Sequence, residues 1–141
     1  MAEKQKLTGR CMCGAVKVSA RAVEPSVSVC HCDMCRRWSS GPFMEVTCHS
    51  VVFEGEGAIG RIRSSDWAER GFCTKCGSNL FYHILESDEY QLSVGLLDHQ
   101  SKLVMELQVF TDSKPPFYDL ANQTKMMTGA EVAAAYAPPP D

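Results

Sequence analysis

Apolar and polar residues alternate through much of the chain. Val16, Val18 and Ala20 are interleaved with Lys17 and Ser19. The same two-residue period runs through Met44, Val46 and Cys48, through Leu80, Tyr82 and Ile84, through Tyr90, Leu92, Val94 and Leu96, and through Leu103, Met105, Leu107 and Val109. A period of two puts alternate side chains on opposite faces of a strand, so these segments predict a mainly antiparallel β protein. Gly55, Gly57 and Gly60 punctuate the gap between a strand at Val51 to Phe53 and Ile62, and the polar run Glu86, Ser87, Asp88 and Glu89 predicts a hairpin turn. Helical signals are scarce. Thr128 followed by Glu131 and then Val132 to Ala135 has the capping-box spacing, which predicts a short C-terminal helix that Pro138 would stop.

No repeat, low-complexity tract or linker divides the 141 residues, so one domain spanning 1–141 is expected, long enough to bury a core. The net charge of −3 offers no excess of positive charge for a phosphate backbone and argues against nucleic-acid binding. Nothing approaches the run of about eighteen apolar residues that a membrane helix needs. Glu3, Lys4 and Lys6 stand where a secretory signal would have its apolar stretch, so a cytoplasmic protein is expected, cytosolic or nuclear.

Eight cysteines change the picture. With no export signal they point to metal rather than disulfides. Seven form tight groups: Cys11 and Cys13, then Cys30, Cys32 and Cys35, then Cys73 and Cys76, with Cys48 alone. A closed structural zinc takes four thiolates, and seven divide as four plus three. Cys30, Cys32 and Cys35 lie close enough in sequence to wrap one metal, leaving the two distant pairs to share the other. In extended backbone each C-x-C would project two sulfurs to one face. Cys76-Gly77 has the form of a knuckle turn, where glycine lets amide N–H groups point at the sulfurs. A site with three protein ligands keeps a fourth position for water or substrate. Two alternatives stand beside this reading: a pair of redox or disulfide couples, and a second structural zinc completed by His31 or Cys48. His31 in extended backbone would point away from its neighbours' metal, and Cys48 is in phase with Met44 and Val46 as a buried apolar residue. No strand-then-helix pattern follows Cys73 and Cys76, as a thioredoxin-like motif would require.

In this order the motifs resemble the glutathione-dependent formaldehyde-activating enzyme family, which includes the centromere protein V group. They are Gly9-Arg10-Cys11-Met12-Cys13-Gly14, Cys30-His31-Cys32-Asp33-Met34-Cys35-Arg36, Ser64-Ser65, Arg70-Gly71-Phe72-Cys73-Thr74-Lys75-Cys76-Gly77-Ser78, and Asp112 to Asp119, covering about residues 7–120. The resemblance implies a β-tent-like fold of zinc-stitched antiparallel sheets. It implies two zinc ions per chain, a structural one on Cys11, Cys13, Cys73 and Cys76 and a second, catalytic one on Cys30, Cys32 and Cys35. It also implies a carbon-sulfur lyase chemistry, the reversible addition of a small thiol such as glutathione to formaldehyde to give S-hydroxymethylglutathione.

Three thiolates against one zinc leave a net charge of −1, which weakens the metal as a Lewis acid unless a cation compensates. Arg36 and Arg37 stand beside the motif and are the candidates for that charge or for gripping a substrate carboxylate. Trp38 to Gly41 is expected as a loop, with Trp38 in the core. His31, His49, His83 and His99 are scattered and supply no evident general base, and His83 fits a strand face with Phe81 and Leu85. The competing functions are a zinc-stabilised protein-binding module, and metal storage or redox sensing.

Overall fold

The computed structural model describes residues 6–136. The strands are β1 (Lys6–Arg10), β2 (Lys17–Ala22), β3 (Ser26–Cys30), β4 (Phe43–Glu54), β5 (Ile59–Arg63), β6 (Ala68–Cys73), β7 (Asn79–Ile84), β8 (Glu89–Ser93), β9 (Val104–Val109) and β10 (Lys125–Met127), with helices α1 (Asp33–Ser39) and α2 (Gly129–Tyr136). All ten strands join one sheet, mainly antiparallel as expected; only β3 with β9 and β9 with β10 run parallel.

Strand β4 is the ridge of this sheet. Its first half pairs with β3 and β8, and its second half, from Cys48 to Glu54, pairs with β2. Strand β1 continues beyond β2 and returns to the far side through a bridge from Gly9 to Leu97. Only glycine permits that closure, because a Cβ on residue 9 would stand 2.2 Å from the Leu96 carbonyl oxygen. The folded sheet encloses a core of Val18, Ala20, Val46, Cys48, Leu80, Phe81 and Leu92. Cys48 is fully buried there and burial pushes its thiol up to about 12, in keeping with its apolar setting.

The alternating segments become β2, β4, β7, β8 and β9, and residues 86–88 lie in the turn between β7 and β8. Val94 and Leu96 depart from the pattern: residues Val94–Leu96 form a 3-10 turn, which brings Leu96 to Gly9. Helix α2 carries the expected cap, with Glu131 N–H donating to Thr128 Oγ1 and Thr128 N–H to Glu131 Oε1 at 3.2 and 3.0 Å. Pro138 lies outside the described residues.

The larger departure is α1. Residues 38–39, expected as loop, belong to a helix that starts after Cys32 and ends at Ser40 in left-handed backbone. Cys32 caps it, its Sγ accepting the Cys35 N–H at 3.3 Å. Cysteine is not a usual cap residue, so the helix start carries no Ser, Thr, Asp or Asn signal. Trp38 is half-buried and packs with Phe43, Cys30 and Cys35 in a second, smaller apolar cluster.

Candidate metal centre

Cys11 and Cys13 follow the end of β1, and Cys73 and Cys76 flank the turn from β6 to β7. Their four sulfurs lie within 4.8 Å of one another, with Cys11 to Cys13 at 3.6 Å and Cys13 to Cys73 at 3.8 Å. Four sulfurs about 2.3 Å from one zinc at tetrahedral corners stand about 3.8 Å apart, so the donor set fits a closed zinc site. The first pair sits in a turn rather than in the strand expected for C-x-C, because Gly14 N–H donates back to Cys11 O at 3.1 Å. Gly77 has φ +80°, which lets its N–H reach Cys73 O at 2.8 Å and closes the knuckle turn.

Backbone and hydroxyl donors face these sulfurs. Val16 N–H reaches Cys11 Sγ at 3.3 Å, and Ser78 Oγ lies 3.2 Å from Cys76 Sγ while accepting the Met12 N–H at 3.0 Å. The Ser78 hydroxyl and N–H bring the Cys76 thiol down to about 5. Burial alone would raise Cys11, but the Val16 N–H and the neighbouring thiols outweigh it and its thiol falls below the usual value.

The second cluster is local. Cys30 ends β3, Cys32 caps α1 and Cys35 is one turn into that helix. Their sulfurs also gather within 4.8 Å, and among the described residues no fourth Cys, His, Asp or Glu joins them. The three thiols share charge. Hydrogen bonds from Cys30 and Cys35 hold Cys32 down to about 2, and Cys30 rises well above the usual thiol in return. Cys35 rises to about 11: the Cys30 thiol lowers it, but the hydrogen bond to Cys32 and burial together prevail. One concentrated negative charge on Cys32 beside two further sulfurs is a donor set that suits a soft divalent cation.

His31, between two of these cysteines, points away as expected. It is fully buried, with Nδ1 2.8 Å from Tyr118 Oη and Nε2 2.9 Å from Gln108 Oε1, and Gln108 donates onward to Thr124 Oγ1 at 3.0 Å. Burial holds its imidazole below the usual value, and a neutral ring that accepts from Tyr118 and donates to Gln108 satisfies this chain. Arg36 donates from Nε to His31 O at 2.9 Å, and Arg37 pairs with Asp33 at 2.9 Å. Both line a cavity of about 300 Å³ shared with Ser40, Phe117 and Tyr118. His83 lies on the other face of β7, bonded to Glu69 and Asp88 at 3.0 and 2.7 Å and stacked on Tyr90 at 3.9 Å.

The cation that touches the three-cysteine cluster is Arg70. Only 7% exposed, it donates from Nη2 to Cys35 Sγ at 3.5 Å, and its guanidinium lies 4.9 and 5.0 Å from the ring centroids of Trp38 and Tyr82. Arg70, Tyr82, Gln91 and Thr47 are successive partners across β6, β7, β8 and β4 and form one row. Glu45 and Phe43 continue that face of β4 to Cys30. Burial pushes the Glu45 carboxyl up to about 8 against the opposing pull of Arg70. Neither Arg70 nor Glu45 is singled out by sequence reasoning. Arg70 falls inside the quoted motif, and the signal that marks it is an arginine three positions before Cys73, in phase with Ala68 and Phe72. Glu45 sits between Met44 and Val46, where alternation assigns it to the solvent side although that face of β4 is covered at this point.

Comparison with known proteins adds three findings. The family model for glutathione-dependent formaldehyde-activating enzyme matches residues 6–113. A Schizosaccharomyces pombe protein named as an uncharacterized lyase is 39% identical over 127 residues, covering 88% of this chain and 92% of that one. A crystal structure of a Rhodobacter sphaeroides protein superposes with a TM-score of 0.60 at 22% identity, covering 72% of this chain and 98% of that one, a likeness of fold.

Proposed function

Because the chain belongs to the glutathione-dependent formaldehyde-activating enzyme family, we propose that it is a zinc-dependent carbon-sulfur lyase acting on adducts of a small thiol and an aldehyde, S-hydroxymethylglutathione among them. The observation that carries this reading is the three-cysteine cluster, which gathers three sulfurs and, among the described residues, no fourth ligand. The lyase name of the Schizosaccharomyces pombe relative supports the reaction class.

In this reading Cys11, Cys13, Cys73 and Cys76 hold a structural zinc, and Cys30, Cys32 and Cys35 hold a second. Bound at the second cluster, zinc would supply Lewis acidity to the substrate's sulfur or oxygen. In the cleavage direction the carbon-sulfur bond breaks with its electron pair going to sulfur. The hydroxyl of the adduct loses its proton as the carbonyl forms, and the sulfur gains one, so the products are thiol and aldehyde. Arg36 and Arg37, which line the cavity with Phe117 and Tyr118, are proposed to grip a carboxylate of the thiol substrate. Such thiols stay reduced in the cytoplasm, where this activity would act.

The test is exchange NMR on S-hydroxymethylglutathione in equilibrium with its components. Zinc-loaded protein is expected to raise the exchange rate at least about tenfold over buffer, and Cys32→Ser to return it to the buffer rate. An unchanged rate with the loaded protein would overturn the reading.

A further inference from the structure

Arg70 has donors to spare in a place where an arginine can ill afford them. Its Nε and Nη1 are buried with no hydrogen-bond partner, while Nη2 is committed to Cys35 Sγ. Leaving a charged donor buried and unpaired costs more than leaving a neutral one so, and such an arrangement marks a position that something else completes. Aromatic contact with Trp38 and Tyr82 occupies the face of the guanidinium, so its remaining bonds must run along its edges. Edge donation is the geometry that recognises an oxyanion.

The neighbours narrow the partner. Glu45 is the carboxylate of this face, and it feels the Arg70 charge without forming an ion pair with it. Arg70 also stands in direct contact with a sulfur of the three-cysteine cluster, so whatever meets its free edges lies beside the substrate position proposed above. Its charge balances the net −1 of three thiolates and a zinc ion, which lets an anionic group approach a site that would otherwise repel it.

We propose that Arg70 is the oxyanion receptor of the three-cysteine site, one of its free donors, Nε or Nη1, holding an oxygen of the substrate next to the cluster. The oxygen is either that of a carboxylate carried by the thiol or that of the hydroxymethyl group. Arg70 binds substrate in this assignment, and the assignment rests on the cluster being the thiol-aldehyde site.

Two titrations of cobalt-loaded protein test it, each on the unmodified chain, Arg70→Gln and Arg70→Lys. In the first, 3-mercaptopropionate, 2-mercaptoethanol and 1-propanethiol are compared through the sulfur-to-cobalt absorption bands. The unmodified protein is expected to bind one of the oxygen-bearing thiols at least about tenfold more tightly than propanethiol. Preference for mercaptopropionate would identify the carboxylate, and preference for mercaptoethanol the hydroxyl oxygen. Arg70→Gln should level the three affinities to within about twofold with two cobalt ions still bound per chain. If Arg70→Gln does not fold, Arg70→Lys, which keeps the charge but not the edge, should lose most of the preference. A preference that survives in either folded variant, or is absent from the unmodified protein while thiols bind, would overturn the assignment. In the second titration, broadening of the carbon-13 line of formate follows an oxyanion without sulfur. Broadening by the unmodified protein but not by Arg70→Gln, with no thiol response in the first titration, would uphold Arg70 and sink the thiol-aldehyde reading. Absence of both responses would sink the two together.

Discussion

Cys13 and Cys73, whose sulfurs meet in the four-cysteine cluster, stand 60 positions apart, whereas Cys30, Cys32 and Cys35 span a single strand end and the first turn of a helix. The first cluster therefore closes a long loop and ties β1 to the β6–β7 turn; the second constrains almost no chain that β3 and α1 do not already constrain. Their surroundings differ in the same sense. Backbone N–H groups and the Ser78 hydroxyl face the four sulfurs, which lie close enough to one another to form a closed tetrahedral donor set. Arg70, half-buried Trp38 and Tyr82, and a carboxyl raised to about 8 surround the three. Neutral dipoles surround the four sulfurs, whereas the buried Arg70 guanidinium stands against the three.

Breaking one ligand in each cluster should separate these roles most widely. Structural zinc contributes about 10–16 kcal/mol in zinc-finger peptides, as much as the whole stability of an ordinary domain. Cys73→Ser is thus expected to abolish the cooperative thermal unfolding seen by circular dichroism. Cys32→Ser should keep that transition, within a few degrees, while zinc per chain falls from about two to one by elemental analysis. Equal loss of structure in both variants would mean that both clusters hold the fold together.

Apolar alternation marks β2, β4, β7, β8 and β9, half of the ten described strands, while β3 and β6, which carry Cys30, Arg70 and Cys73, are not among the segments it marks; the four-plus-three division rests on cysteine spacing together with the four ligands of a closed zinc site. What stayed hidden has a physical reason in each case. Helix α1 begins on Cys32, whose sulfur does the work of a cap residue, and its seven residues present too short a period to register. Arg70 and Glu45 are charged residues within strands, and a charge in a strand reads as solvent-facing unless the partner covering it is known. Their meeting depends on the pairing order β6, β7, β8 and β4, which is set by tertiary contacts between segments far apart in sequence. The two C-x-C motifs also diverge in space although they look alike on paper: one rides a turn closed by Gly14, the other runs from a strand end into a helix cap.

His31 offers a smaller and more specific test of the three-ligand count. His31→Ala leaves Gln108 Oε1 and the Tyr118 hydroxyl without their partner in a buried position, at a cost of about 2–3 kcal/mol in denaturant unfolding. Metal content should nevertheless remain at about two per chain, because both ring nitrogens are engaged away from the cysteines. Loss of one metal ion from this variant would make His31 a fourth ligand and erase the difference between the clusters.

The smallest effect belongs to the charge around the second cluster. The Glu45 carboxyl titrates near 8 in the folded chain against about 4.5 in the unfolded one, so the folded state binds more protons between those values. Stability from this group is therefore complete below about pH 4.5 and is lost as pH rises toward and through about 8. Glu45 is partly accessible, and Arg70 opposes the shift, so about 1–2 kcal/mol is the expected scale rather than the full value of the shift. Glu45→Gln removes the titration and leaves a residue of the same shape. Its unfolding free energy, measured from pH 6 to 9 where zinc thiolates persist, should fall less steeply with pH than that of the unmodified chain, the two curves diverging toward the alkaline end. Parallel curves would mean that the carboxyl is ionised throughout. The face of β4 beside the three cysteines would then be as wet as a free surface, and the contrast in dielectric setting between the two clusters would rest on Arg70 alone.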